Sequence, residues 1–404
     1  MNTQSENFLH ILRCILHGGT PSLTDPDWEA LLHLSNSHNL LPAVYEAVRR
    51  LPEFSLASPD TAQQFLTGAV AQSGSQWMRT EAFLELYDQL LEAGAAPLVL
   101  KGLVCRSLYP QPELRPSGDE DLWITEEELP LCDPILRQNG YLPELPEEAG
   151  RLEEIQEMTY EGPSLTLEMH VNPFGTESGL RRNMNELLEG ARQRSVTMEL
   201  QGHIIHTLSP TDHYLFLYFH IFKHFTSCGV GIRHLMDLLL FRQTFEDEID
   251  FPRVVKAISA IGGETFYAAI LEIGRRWLGF SSIPAPGRCP DPAPLLEEIL
   301  AVGCFGNSDR YQQLSATYIN ARLLHQEEKR PRLITMLFPP YSRMYHSYPV
   351  LLRHPWLLPF MWLARIGKFA KEVLSTDRGL AFRSIRYGKK RTRLLQKYRA
   401  GFRK

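Results

Sequence analysis

The chain has 404 residues, 44% of them hydrophobic and 22% charged, a composition typical of a globular protein with a sizeable core. It contains neither a signal-peptide pattern at its start nor the roughly 18 consecutive apolar residues of a membrane-spanning helix, so neither is expected. The net charge is −5. The six cysteines are far apart and form no C-x-x-C pair, so the sequence suggests neither a zinc ribbon nor a disulfide framework, and a cytoplasmic location is expected.

The first part of the chain, residues 1–94, has a helical pattern. Apolar residues lie three and four positions apart in "DWEALLHLSNSHNLLPAVYEAVRR" and in "EAFLELYDQLLEAG". Asp25 or Asp27 would cap one helix, and Gly94 would end another. The sequence therefore predicts an N-terminal helical region over residues 1–94.

The periodicity changes after Gly94. "APLVLKG" is a short apolar run, while "DEDLWIT" and "SLTLEMHV" alternate between polar and apolar residues, which predicts three strands. Between them, "LPLCDPILRQNGY" has helical spacing and an Asn-Gly stop. An α/β core is expected over residues 95–207.

Helical spacing returns in "LSPTDHYLFLYFHIFKHF", with Ser209 or Thr211 as the cap. A helical region is expected over residues 208–330, through "ARLLHQEE". Residues 331–404 then form a segment rich in proline and aromatic residues followed by a basic helical tail. The longest apolar part of that segment, Trp356 to Ala364, is about half a bilayer span, so it favours docking on the protein's own body over a membrane surface.

The basic tail concentrates the positive charge of the chain. Residues 361–404 contain fourteen Lys or Arg and two acids, a net charge of +12 that leaves −17 for the preceding 360 residues. Aromatic residues alternate with these cations, a composition suited to nucleic acid or to an anionic membrane. Contact with the acidic body of the same protein is a third alternative, and a solubilising terminus with no specific role is a fourth; the sequence leaves all four open.

Two aspartates one residue apart are the first chemical signal. In a strand Asp119 and Asp121 project from the same face, while Glu120 points to the other. Two close carboxylates repel unless a cation lies between them, and a divalent ion such as Mg²⁺ is the usual solution. The alternative is a solvated strand end.

A second strand offers a third carboxylate. In "LTLEMHV", Thr166, Glu168 and His170 share one face, and the apolar residues occupy the other. Three carboxylates from neighbouring strands are able to form a two-metal site for phosphoryl or nucleotidyl transfer.

Several cations accompany the acids. Gly102 would let backbone amides approach a phosphate, and Lys101 would add a charge, although a strand that simply ends is the alternative. Arg115 would clamp a triphosphate or neutralise Asp119 or Glu113. His170 would orient Glu168, touch the nucleotide, or serve as a structural histidine.

Two later helices carry further candidates. His220 and His224 are four residues apart, as are Arg233 and Asp237, so each pair shares a helix face. No acidic base lies between the two histidines, which argues against zinc catalysis. Lys223 or Arg233 would lie near nucleotide phosphates; an internal Arg233–Asp237 ion pair is the alternative.

These residues together carry a family resemblance. Lys101-Gly102, "LYP" at 108–110, Arg115 and "GDEDL" at 118–122 resemble the signature of the uncharacterised nucleotidyltransferase family within the polymerase-beta-like superfamily. "LEMHVNP", "HIFKHF" and "GIRHLMDLLL" are similar to further segments of that family, as are "LFPPYSRM" and "HPWLLPFMWLARI". The resemblance covers about residues 25–370.

The resemblance implies an α+β fold: a polymerase-beta-like core with a small mixed sheet and helices, flanked by N- and C-terminal helical regions. It implies transfer of a nucleoside monophosphate from a nucleoside triphosphate to an unidentified hydroxyl or phosphate acceptor. Asp119, Asp121 and Glu168 would hold two Mg²⁺ ions, with Mn²⁺ as the alternative, and would be the catalytic residues. Lys101, Gly102, Arg115, His170, Lys223 and Arg233 would bind the nucleotide.

Two features differ from the superfamily pattern and are typical of this family. Lys101-Gly102 replaces the usual Gly-Ser, and the distance from Gly102 to Asp119 is longer. A catalytically inactive nucleotide-binding or regulatory module with the same fold is therefore the alternative function, and an interaction scaffold is a third.

Overall fold

A computed structural model describes most of the chain. It covers residues 1–144, 157–176, 178–227, 229–281, 289–303, 338–339, 341, 344–345, 348, 350–376 and 380–398. The helix predicted through "ARLLHQEE" lies outside the described residues, as does much of the segment rich in proline.

Four helices precede the sheet: α1 Thr3–His17, α2 Trp28–Ser37, α3 Leu41–Val48 and α4 Pro59–Glu92. Of the two predicted caps, Asp27 begins α2, because its side chain accepts a hydrogen bond from the Ala30 N–H. Gly94 follows α4 with φ +86°, a conformation that ends a helix at little cost only for glycine.

The centre is one mixed sheet of seven strands. Its members are β1 Leu98–Val99, β2 Asp119–Trp123, β3 Leu142–Pro143, β4 Glu157–Glu161, β5 Thr166–His170, β6 Val196–Leu200 and β7 His203–Thr207. Their spatial order is β3-β4-β5-β2-β1-β7-β6. β2 therefore lies in the middle, antiparallel to β1 and parallel to β5.

The described helices after β1 are α5 Leu103–Ser107, α6 Leu129–Gln138, α7 Gly179–Leu187, α8 Pro210–Ser227, α9 Ile232–Thr244, α10 Phe251–Ala260, α11 Glu264–Trp277 and α12 Ala293–Val302. Ser209, the first of the two predicted caps, accepts from the N–H of Asp212 at the start of α8. Most residues of α8 and α9 are buried, including Phe219, Phe222 and Leu235, so this pair packs within the core rather than on the surface. The predicted α+β class, a mixed sheet with flanking helices, is confirmed. The division into segments 1–94, 95–207, 208–330 and 331–404 stays a prediction.

The last described helices are α13 Val350–Arg353, α14 Leu358–Thr376 and α15 Leu380–Lys397. α15 docks on the body of the protein: the buried Arg391 donates from Nη2 to the Phe225 carbonyl over 2.7 Å, and Tyr398 donates to the Asp291 carbonyl over 2.7 Å.

The aromatic segment before α15 behaves differently. Docking on the protein's own body is predicted for this segment. Trp356, Phe360 and Leu363 are instead exposed, so these three residues do not pack on a described part of the body. Trp356 lies in the turn before α14, and Phe360 and Leu363 lie in the first two turns of that helix. No helix among the described residues is long and apolar enough to cross a membrane.

Candidate functional site

The acidic pair lies on the central strand. Asp119 and Asp121 project from one face of β2, as the period of two predicts, and Glu120 projects from the other. Asp121 is buried, with 4% of its side chain exposed, whereas the Asp119 side chain is 35% exposed. The pair therefore extends from the sheet towards solvent.

The neighbouring strand brings the third carboxylate to this pair. β5 runs parallel to β2 with Asp121 opposite Glu168 and Trp123 opposite His170. The His170 ring leans back along the strand, so its Nε2 lies 3.2 Å from Oδ1 of Asp121 and 3.4 Å from Oε2 of Glu168. Residues that are almost fifty positions apart in the sequence therefore lie in one cluster.

Lys101 approaches the same cluster from β1. The antiparallel register continues past β1 through a hydrogen bond from the Leu100 N–H to the Asp121 carbonyl, which places Lys101 beside the aspartates. Its Nζ lies 3.0 Å from Oδ2 of Asp121 and 3.8 Å from Oδ2 of Asp119. An ammonium therefore occupies the space between the two aspartates.

These contacts shift the ionisation of the two closest partners. Burial alone would raise the pKa of Asp121, but the Lys101 ammonium and His170 hold that pKa well below its usual range. Burial likewise opposes charge on Lys101, but Asp121, Asp119 and Glu168 raise its pKa above the ordinary value. Both groups are charged at neutral pH.

His170 and Glu168 are shifted as well. Burial lowers the pKa of His170, but hydrogen bonds to Asp121 and Glu168 outweigh burial and raise the pKa to about 9. The hydrogen bond from His170 lowers the pKa of Glu168, yet burial and the charge of Asp121 leave it raised. Between Asp121 and Glu168, Glu168 is the carboxylate that its environment moves towards accepting a proton.

The turn that carries Lys101 is fixed from beneath the sheet. Gly102 has φ +46° and begins α5, and the Leu103 N–H donates to Oε2 of Glu120 over 2.9 Å. Arg106 Nη1 lies 2.6 Å from the other oxygen of Glu120. Glu120 thus ties the turn to β2 on the face opposite the aspartates.

A cleft opens beside Lys101 and the more exposed aspartate. Its lining comes from the β1–α5 turn, the loop before β2 and helices α8 and α9, and consists of Lys101, Gly102, Cys105, Arg115, Ser117, Asp119, Leu217, His220, Ile221, Arg233, His234 and Asp237. Four of the predicted nucleotide-binding residues, Lys101, Gly102, Arg115 and Arg233, therefore line one cleft with Asp119.

Arg115 and Arg233 have partners that the sequence did not predict. Arg115 forms a bidentate ion pair with Asp237, with its Nε 3.1 Å from Oδ1, rather than with Asp119 or Glu113. Arg233 donates to the Pro116 carbonyl instead of pairing with Asp237. Arg233 and Asp237 do share a helix face, but the loop before β2 packs against that face and provides both partners.

Lys223 and His224 lie one turn along α8 from His220. Lys223 is half-buried and is not among the described residues that line the cleft, and burial lowers its pKa. His224 and His220 approach through their Nε2 atoms over 3.1 Å, and burial lowers the pKa of each well below the ordinary value. Both histidines are neutral at physiological pH.

The donor set fits a divalent cation. One ligand atom each from Asp121, Glu168 and His170 lies within 4.8 Å of the others, a separation that a bound ion would bridge. Oδ2 of the buried Asp121 accepts no hydrogen bond of good geometry from any described residue, although Lys101 is close. Asp119 lies beside this set, so all three predicted carboxylates are brought together.

Two participants were missed by the sequence prediction. Glu157 of β4 lies opposite His170 in the sheet, and its Oε2 is 3.6 Å from the second ring nitrogen of His170. The alternation of "EMTYE" would have indicated this strand, but not its partner. Glu120 was assigned only to the opposite face, and its link to Leu103 depends on the backbone of the turn.

Comparison with known proteins assigns the chain to a protein family. Residues 24–279 match the family described as "Uncharacterised nucleotidyltransferase", and the chain belongs to this family. No curated protein and no solved structure matches the chain. The match ends at residue 279, so the resemblance of the C-terminal segment to the family stays a prediction.

Proposed function

We propose that the protein is a metal-dependent nucleotidyltransferase that moves a nucleoside monophosphate from a nucleoside triphosphate to a hydroxyl or phosphate acceptor. One observation carries the proposal: Asp121 lies in register with Glu168 and beside Asp119, and Asp119 lines a cleft together with Lys101, Gly102, Arg115 and Arg233. Family membership supports the same chemistry.

In this reaction an acceptor oxygen forms a bond to the α-phosphorus while the bond from that phosphorus to the bridging oxygen breaks, and pyrophosphate leaves. Asp119, Asp121 and Glu168 would hold the divalent ion, Mg²⁺ or Mn²⁺, which when bound neutralises charge on the triphosphate and aligns the attack. Glu168, with its raised pKa, would receive the acceptor proton.

The nucleotide would lie in the cleft. Lys101 and Gly102 line this cleft together with Asp119, where phosphates would approach the aspartates. Arg233 would stabilise the triphosphate from α9, and Lys223 would add charge from α8. Arg115 would act mainly through Asp237, because its guanidinium is committed to that buried carboxylate. His170 would contact the carboxylates of Asp121 and Glu168 rather than the base of the nucleotide.

The test is calorimetric titration of the full chain with each of the four nucleoside triphosphates, with and without Mg²⁺. Binding that requires Mg²⁺ and is lost in an Asp119→Asn, Asp121→Asn double variant supports the proposal. A Glu126→Gln, Glu127→Gln variant removes the same charge from exposed acids just after β2 and should bind like wild type. Pyrophosphate release is then measured across acceptor classes.

A catalytically inactive nucleotide-binding module is the second candidate. The observation that favours it is the Lys101 ammonium between the two aspartates, where an active enzyme of this superfamily would be expected to bring metal. Nucleotide binding without pyrophosphate release from any acceptor would favour this module. Failure to bind both nucleotide and metal would contradict both candidates.

The basic tail offers a further contact. Arg386, Lys389, Lys390 and Arg393 are exposed on one face of α15, while Arg391 on the other face docks on the body. This face would bind an anionic surface, either nucleic acid or lipid. Salt-dependent retention of RNA or of anionic vesicles, lost when the four exposed cations become serine, tests it and separates the two partners. A cytoplasmic location stays a prediction from the cysteine pattern.

A further inference from the structure

The two oxygens of Asp121 face two different cation positions. Oδ2 lies 3.0 Å from Lys101 Nζ, on the side of Asp119. Oδ1 lies 3.2 Å from Nε2 of His170, on the side of Glu168. The buried carboxylate of Asp121 therefore lies between two cation positions, and the Lys101 ammonium occupies one of them.

Lys101 is held in its position from more than one direction. Its backbone is fixed by the β1–α5 turn, and its Nζ lies 3.2 Å from Nε2 of His220 on α8. His220 is neutral, since burial and the nearby Lys101 charge lower its pKa, so its ring nitrogen offers a lone pair to the ammonium. Displacing Lys101 would cost the ammonium its contacts with His220 and with both aspartates.

The second position has a different ligand set. Asp121 and Glu168 supply carboxylate oxygens, and His170 supplies Nε2. The other ring nitrogen of His170 faces Oε2 of Glu157 over 3.6 Å. A carboxylate behind a histidine holds the proton on that nitrogen, so a metal ion that displaces the proton of the opposite nitrogen is able to bind there.

This mixed set differs from the all-oxygen environment that Mg²⁺ prefers. Mg²⁺ is bound through carboxylates, phosphates and water, whereas an imidazole ligand raises affinity for first-row transition metals. Oδ1 of Asp121, Oε2 of Glu168 and Nε2 of His170 converge on this second position, while Oδ2 of Asp121 faces Lys101.

We propose that the protein binds one divalent ion and that the Lys101 ammonium takes the place of a second ion between Asp119 and Asp121. The ligands of the bound ion are Asp121, Glu168 and His170, so His170 replaces Asp119 in the ligand set of the proposed function. The same geometry assigns the metal site a preference for a first-row transition dication such as Mn²⁺ over Mg²⁺. The catalytic purpose of this arrangement rests on the proposed function, but the metal stoichiometry does not.

The measurement is Mn²⁺ binding to the full chain without nucleotide, followed by electron paramagnetic resonance and calorimetry. Wild type should bind one Mn²⁺ per chain, and Mg²⁺ should compete only at concentrations at least about tenfold higher. Lys101→Met should bind two, because the vacated aspartate pair accepts a second ion. Lys256→Met removes an exposed lysine from α10 and should still bind one.

The histidine arm uses the same titration. His170→Asn should lose most of the preference for Mn²⁺ over Mg²⁺, and Glu157→Gln should weaken Mn²⁺ binding by about tenfold or more. Two ions per wild-type chain, no ion, or equal affinity for Mg²⁺ and Mn²⁺ would overturn the proposal. If Lys101→Met does not fold, Lys101→Arg, which keeps the charge, should bind one ion, and two ions would contradict it.

The outcomes separate this inference from the proposed function. One bound Mn²⁺ with no nucleotide transfer to any acceptor would leave the metal assignment standing and contradict the enzyme. If the wild-type protein transfers nucleotide but holds two ions in the absence of nucleotide, the proposed function stands and the metal assignment is contradicted.

Discussion

A Cβ atom at Gly102 would lie 2.0 Å from Oε2 of Glu120, the oxygen that accepts the hydrogen bond from the Leu103 N–H. The close approach explains why glycine follows Lys101: the backbone there has φ +46°, and no side chain fits between the turn and the carboxylate. Glu120 therefore helps to set the position of Lys101 from the far side of the sheet.

Gly102→Ala should destabilise the protein by about 2–4 kcal/mol, combining roughly 1 for a positive φ with 1–3 for crowding in the core. The free energy of unfolding in urea measures this loss. Gly94→Ala is the matched control, since Gly94 has φ +86° but its Cβ would meet nothing within 4 Å. Equal losses for the two variants would show that the contact with Glu120 contributes nothing.

The ion pair between Arg115 and Asp237 should stabilise the contact of the pre-β2 loop with α9. Both side chains are buried, and Tyr109 also donates to Oδ1 of Asp237 over 2.8 Å. Asp237→Asn would leave the guanidinium buried with an uncharged partner and should cost about 3–5 kcal/mol. The free energy of unfolding measures it.

A double-mutant cycle tests whether that cost belongs to the pair. Arg115→Met with Asp237→Leu removes both charges, so its loss should be smaller than the sum of the single losses by about 1–3 kcal/mol. The same cycle on the exposed Arg49–Glu46 pair should show little coupling, because water screens those charges. Strict additivity at Arg115 and Asp237 would contradict the prediction.

The sequence predicted the contacts that depend on strand periodicity. Asp119 and Asp121 on one face, with Glu168 and His170 on one face of the next strand, follow from a repeat of two that each strand imposes locally. Their meeting also requires that β2 and β5 be neighbours in the observed register. The family resemblance supplied that neighbourhood as an expectation, which spacing alone does not.

The contacts that the sequence did not predict join segments that are far apart in the chain. Asp237 has Arg233 one turn away on its own helix, so a local pattern favours that pair, yet Arg115 approaches from 122 residues earlier. Lys101 was predicted at phosphates, and its place between the aspartates depends on the antiparallel register of β1 and β2. Such partners are decided by packing, which local spacing does not encode.

Buried His38 should make stability depend on pH in a specific window. Its Nδ1 accepts from the Ile232 N–H and its Nε2 donates to the Leu300 carbonyl, so the ring joins the end of α2 to α9 and α12 in its neutral form. Burial, with a smaller effect of Arg233, lowers the pKa of His38 from 6.5 to about 4.

Because the folded-state pKa lies below the unfolded value, this stabilisation is fully present above about pH 6.5 and is lost as the pH falls towards 4. The stability advantage of wild type over His38→Gln should therefore shrink by up to about 3 kcal/mol across that window. Urea unfolding of both proteins at pH 7 and pH 4.5 measures it. Other buried histidines, such as His213, titrate in both proteins and cancel in the comparison. A constant difference would contradict the assignment.

Arg391 should hold α15 on the body of the protein. Its guanidinium is buried and donates to the carbonyl of Phe225, in the last turn of α8, where unpaired carbonyls favour a cation. Arg391→Met removes a charged hydrogen bond of about 1.5–3 kcal/mol, so amide exchange across residues 386–398 should become roughly 10 to 100 times faster. Hydrogen exchange followed by mass spectrometry measures this change. Arg393→Met makes the same substitution at an exposed position two residues away and should leave exchange unchanged. If both variants exchange at the same rate, the buried contact of Arg391 does not fix the helix.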